Sequence, residues 1–165
     1  QELGATMLYV THDQTEAMTM ATRIGVLEKG RLVQIGTPRQ IYEDPVSSYV
    51  ASRLGSPRIN LVPRSALGKT AAPPSAVTAG LRAEHLGLAG IVAGAGATAR
   101  EGLPARVLRL ESLSDQRLAL LALEGTEQEI AAVVPSDAIV LPGDEVRLQL
   151  RRPLWFDVGG QRVRA

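Results

Sequence analysis

The stretch YVTHDQTEAM, Tyr9 to Met18, decides how this chain is read. With the residues before it, it completes TMLYVT, Thr6 to Thr11, a nearly continuous run of strand-forming residues of the kind buried on both faces of a parallel sheet. The run ends in Thr11, His12 and Asp13. It then passes into a helix-like segment in which Thr11 and Gln14 have capping-box spacing and Ala17, Met18 and Ala21 share one face. Strand, histidine and helix in that order put His12 at the carboxyl edge of a strand, where ligands of parallel sheets bind. A lone histidine there is more often a polar residue closing a strand, and the residues alone leave both readings open.

Working outward, 165 residues with 45% hydrophobic content can bury the core of one domain or two small ones. The net charge of +1 gives no general electrostatic reason to expect nucleic acid or an anionic membrane as partner. The absence of cysteine excludes a disulfide framework, a thiolate nucleophile and a cysteine-zinc site. No apolar run approaches the ~20 residues that span a bilayer. QELGATMLYV lacks the basic region and cleavage site of a signal peptide, and QEL before Gly4 reads as the last turn of a helix with its glycine cap. The expectation is a piece of a longer protein.

From Ala5 to Pro57 the punctuation is that of an alternating α/β region. RIGVLEKGRLVQIG reads as a hairpin turning at Glu28, Lys29 and Gly30. Thr37, Pro38 and Gln40 start a short helix as cap, first-turn proline and capping-box partner. A second helix is expected with Asp44 as its cap and Pro45 at its start, Val46, Tyr49, Val50 and Leu54 on one face, and Gly55 with Pro57 stopping it. After Ser56 short strands recur: LPARVLRL, RLALLAL, EIAAVVP, DEVRLQL and LWFDV, with turns at Gly125, Pro142-Gly143 and Gly159-Gly160, as in a small barrel or sandwich. ALGKTAAPPSAV reads as a linker or loop, and LAGIVAGAGATAREG as a mobile loop.

YVTHDQTEAM, GRLVQIGTPRQIYEDP and YVASRLGSPRIN, in this order and spacing, resemble the C-terminal third of the ATP-binding subunit of bacterial ABC importers, most closely the carbohydrate-uptake branch. AGLRAEHLGL and LPGDEVRLQLRRPLWFDV resemble segments of that family's regulatory domain. LESLSDQ departs from the pattern, standing where the family usually has a leucine-glycine turn followed by an acidic residue. The resemblance implies an α/β remnant of an ABC nucleotide-binding domain over residues 1–56 (H-loop strand, hairpin, two short helices), and an all-β OB-like regulatory domain over residues 57–165. It implies that His12 is the switch histidine, contacting the γ-phosphate in the parent protein. The parent's ligands would be ATP and Mg. Its partners would be a second ATPase subunit as a homodimer, the transporter's membrane subunits and a regulatory protein, at the cytoplasmic face of the membrane.

A phosphate loop of the form G-x-x-x-x-G-K-[ST] does not occur in the sequence. Gly68-Lys69-Thr70 lacks its first glycine and follows no expected strand, so it reads as a coincidence. The chain alone is therefore expected to bind no cofactor and not to hydrolyse ATP. Arg82, Glu84 and His85 could form a small anion site, although strand-end and turn roles are favoured because no metal-ligand partner accompanies them. No metal site is apparent. Trp155 and Phe156 are adjacent and so face opposite sides of a strand, which disfavours a stacking platform for nucleic acid. The strand TMLYVT, parted from its sheet neighbours, invites self-association, with a dimer through the β-region expected. The rival reading is a stand-alone OB-like module binding a small oxyanion or a regulatory protein. A polyamine or anion branch of the importers fits GSPRIN less well.

Overall fold

The computed structural model describes residues 6–89, 102–112, 116–135 and 138–164. The helix end read at residues 1–4 and most of LAGIVAGAGATAREG lie outside them, as does the middle of LESLSDQ. Thr6 to Thr11 is not a strand. Met7, Leu8, Tyr9 and Val10 are 86, 91, 66 and 83% exposed, because no neighbouring strand among the described residues takes up their amides and carbonyls. The chain instead bends at His12, just after Thr11, whose Oγ1 accepts the Asp13 amide at 2.9 Å and donates to Glu16. Asp13, not Thr11, caps helix α1 (Gln14–Met20), accepting the Thr15 and Glu16 amides.

β1 (Ile24–Glu28) and β2 (Arg31–Gly36) form the expected antiparallel hairpin, with a bulge at Val26-Leu27. Lys29 and Gly30 both have positive φ, 48° and 77°, the paired left-handed conformation that suits a two-residue turn. α2 (Pro38–Glu43) carries the full capping box from Thr37 and Gln40. α3 (Ser48–Ala51) begins later than the sequence suggests. Ser47 is its cap, while Asp44 ends α2, because Ser47 has the extended backbone that lets its hydroxyl reach the Val50 amide. Ile24, Val26, Ile41, Val50 and Leu54 make a small core, with Ala17, Met18, Ala21, Val46 and Tyr49 against it.

The remaining strands are β3 (Asn60–Pro63), β4 (Thr78–Leu81), β5 (Leu86–Ala89), β6 (Leu103–Ser112), β7 (Arg117–Leu123), β8 (Glu129–Val134), β9 (Glu145–Leu150), β10 (Leu154–Phe156) and β11 (Arg162–Val163). They build two antiparallel sheets, ordered β11-β10-β4-β3 and β5-β9-β6-β7-β8. The five expected strands are β6 to β10, and glycines 125, 143 and 160 take positive φ at the expected turns. The sequence pattern does not predict β3, β4, β5 or β11.

Of the two readings of ALGKTAAPPSAV, linker or loop, the loop holds. It begins inside a 3₁₀ helix (Arg64–Leu67) and leads on to β4, and Ala66, Leu67 and Ala76 are buried in the main core with Leu121, Ile130 and Leu148. Asn60 staples the two sheets: its side-chain amide donates to the Ala131 carbonyl at 2.9 Å and accepts the Ala131 amide at 2.8 Å, as a strand neighbour would. Trp155 and Phe156 do face opposite ways. Trp155 enters the main core, whereas Phe156 joins Ala51, Ile59 and Leu154 in a third cluster that glues α3 to β10.

Candidate functional site at His12 and the seam behind it

His12 is exposed, one residue before the cap of α1. Upstream of it runs the exposed segment Met7 to Val10, and downstream the first turn of α1. Asp13 holds the helix start. Gln14, the first residue of α1, sends its side-chain oxygen across to accept the Gly55 amide at 3.0 Å in a partly buried position. Both therefore have the structural roles expected of helix-entry residues.

Gly55 sits at a seam between the helices and the β-sheets. Just beyond β4, Arg82 is 2% exposed and donates to the carbonyls of Leu54 and Tyr42, while its guanidinium lies 3.8 Å from the centre of the Tyr42 ring. Glu84 accepts from the Tyr42 hydroxyl. Burial pushes the Arg82 guanidinium below the usual arginine range, against the opposing pull of Tyr42 and Glu84. Burial, the Glu84 hydrogen bond and its charge push the Tyr42 phenol up to about 12, while Arg82 partly offsets them. Gly55 has φ +115°, and a Cβ there would stand 2.7 Å from Arg82 Nη1, so the close approach requires glycine.

A second clamp runs along the chain's end. The Ser48 amide donates to the Gly160 carbonyl at 2.8 Å and the Arg162 amide to the Val46 carbonyl at 2.9 Å. Arg164 pairs with Asp44 at 2.7 Å, but both side chains are more than half exposed and the pair adds little.

Arg82 and Glu84 are thus taken up by Tyr42 and Leu54. Ala83–His85 is a 3₁₀ turn, the favoured reading, and Arg82 is a bolt through the seam. Sequence reasoning missed that bolt because its partners, Tyr42 and Leu54, lie 40 and 28 residues away. The one local signal was an arginine directly after the small apolar run TAGL. Gly68-Lys69-Thr70 follows a 3₁₀ helix, and the Thr70 amide bonds back to the Leu67 carbonyl, so it forms no strand-to-helix phosphate loop. Among the described residues no cluster of three or more His, Cys, Asp or Glu could hold a metal ion. Among the described residues no helix is long and apolar enough to cross a membrane.

No protein-family model matches the chain. Among curated proteins it is 35% identical over 153 residues to the sn-glycerol-3-phosphate import ATP-binding protein UgpC 1 of Rhizobium etli, covering 92% of this chain and 43% of that one. It is 34% identical over 171 residues to the uncharacterized ABC transporter ATP-binding protein y4oS of Sinorhizobium fredii, covering 92% and 43%. The chain belongs to the ATP-binding subunits of ABC importers. A third member of the family, the lactose transport ATP-binding protein LacK of Rhizobium radiobacter, is 32% identical over 200 residues, covering 99% of this chain and 50% of its own length. The chain spans about half the length of these relatives or somewhat less.

His12 offers an exposed imidazole, whereas Gly68 to Thr70 has the wrong local structure to hold phosphates.

Proposed function

We propose that these residues are the C-terminal part of an ATPase subunit that powers import of a sugar or related solute. The observation that carries this reading is the identity of 32 to 35% with import ATP-binding proteins over 92 to 99% of the chain. In this reading residues 1–56 close the nucleotide-binding domain and residues 57–165 form the OB-like regulatory domain. The five-stranded antiparallel sheet supports the latter: its edge strands β5 and β8 approach each other, as in a partly open barrel.

ATP, with Mg, supplies the phosphoanhydride whose hydrolysis drives transport. His12 holds a ring nitrogen toward a phosphate oxygen, a charge-stabilising contact made where charge develops. The parent works as a homodimer at the cytoplasmic face of the membrane, against membrane subunits, and its β-sheets bring the two copies together and receive regulatory partners.

The test is a graft. Residues 1–165 replace the matching segment of the R. etli relative, and the product is expected to hydrolyse ATP. The purified chain alone is expected to give no heat when titrated with MgATP. An inactive, folded graft, or micromolar nucleotide affinity of the isolated chain, contradicts the reading. Light scattering coupled to size exclusion checks the dimer, and a monomer at all concentrations counts against it.

A further inference from the structure

We infer that Gln14 is a positioning residue for His12, acting by tying the first turn of α1 to the seam bolted by Arg82. This rests on the role of His12 proposed above. In the intact subunit the strand read at Thr6 to Thr11 holds His12 from upstream, and the Gln14 tie holds it from the helix side. Downstream, the bonds of Asp13 and Thr11 stay within the same turn and cannot fix that turn in space. Ala17, Met18 and Ala21 pack on the small core, but apolar contacts are non-directional and allow a helix to slide.

Gln14 supplies the directional tie. Its side-chain oxygen accepts the Gly55 amide, 41 residues away. Gly55 is itself pinned, because the preceding Leu54 carbonyl accepts from Arg82 and the guanidinium leaves no room for a side chain at Gly55. The path is therefore Arg82, the Leu54-Gly55 peptide, Gln14, and then His12 two residues upstream. A small displacement of a group aimed at the reacting atoms can lower a rate by up to ~100-fold without changing how the rest of the substrate binds. Loss of the tie should thus appear in kcat and leave KM for ATP alone.

The experiment measures ATP hydrolysis by the intact subunit carrying Gln14→Met, which keeps the length of the side chain and removes the acceptor, and Gln14→Glu, which keeps the acceptor and suits the first turn of a helix. Gln14→Met is expected to lower kcat roughly tenfold with KM unchanged, and Gln14→Glu to restore most of it. The Gly55 amide should exchange with deuterium faster in Gln14→Met than in Gln14→Glu. Gln14→Ala provides the same comparison if Gln14→Met lowers the soluble yield. Parental kcat in both acceptor-less variants, while His12→Ala is inactive, overturns the role of Gln14 and spares that of His12. Equal loss in Gln14→Met and Gln14→Glu, with Gly55 equally protected in both, also overturns it, as the effect would then not run through this hydrogen bond. Full activity of His12→Ala removes the reading of His12 and this inference with it.

Discussion

The helical elements α1 to α3 with their hairpin, and the strands β3 to β11, solve the burial problem differently. The strands enclose a broad core in which Leu67, Leu121, Ile130 and Leu148 are at most 1% exposed. The helices and hairpin gather only a small cluster around Ile24, Val26, Ile41, Val50 and Leu54, and leave Met7 to Val10, Met20, Leu27, Leu32 and Ile35 each more than half exposed. The strand region therefore supports itself, whereas the helical region leans on it through Phe156, the Arg82 bolt and the Gly160–Arg164 clamp. Two regions with separate cores behave as one unit only as long as the contacts between them hold.

Phe156 gives the largest test of that difference. It is fully buried in the cluster that joins α3 to β10, so Phe156→Ala should cost about 3–5 kcal/mol, read as a shift of the denaturation midpoint. Trp155, the only tryptophan, reports on the strand core by fluorescence, and helix loss is followed by circular dichroism. The helical signal should be lost first in this variant. Coincident transitions at the parental midpoint would show that the helices do not depend on the seam.

Arg82→Met should cost about 2 kcal/mol, because it leaves the Leu54 and Tyr42 carbonyls without their donor while relieving the burial of a charge. No change in the helical midpoint would reduce the bolt to a bystander. Thr37→Ala should cost about 1 kcal/mol through the lost capping box and affect the helical signal alone. An equal shift of Trp155 fluorescence would mean that the two regions unfold together.

The smallest effect concerns pH. A phenol held at about 12 when folded, but at about 10 when unfolded, keeps its proton longer in the folded state. Stability from this source is present below about pH 10 and is lost as pH rises toward about 12. Tyr42→Phe should flatten that part of the stability profile. An unchanged alkaline slope would place the titration elsewhere.

Much of this was legible in the sequence. Strands β6 to β10 showed themselves through turn glycines and recurrent apolar runs, and the hairpin through Lys29-Gly30. The capping box at Thr37 was also visible, since its bonds are made within one turn. The rest depended on distant partners. TMLYVT has the composition of a buried strand, but a strand also needs neighbours. Proline and alanine left ALGKTAAPPSAV open between linker and loop, although Leu67 and Ala76 in it are buried. β4 and β5 are four residues long without alternation, too short for a periodic signal. Where two capping residues lie close together, as at Thr11 and Asp13 or Asp44 and Ser47, backbone geometry chose between them. Of the candidate site, the helix after His12 was readable from spacing, whereas the tie from Gln14 to Gly55 joins residues 41 apart and left no local trace.

The most direct test of the account is His12→Ala in the intact subunit, with ATP turnover and ATP affinity measured on the same preparation. The contact is aimed at the reacting phosphate and not at the nucleotide as a whole, so turnover should fall by about two orders of magnitude or more while affinity stays nearly unchanged. Hydrolysis near the parental rate would make His12 no more than an exposed residue ahead of a helix cap, and would contradict the account.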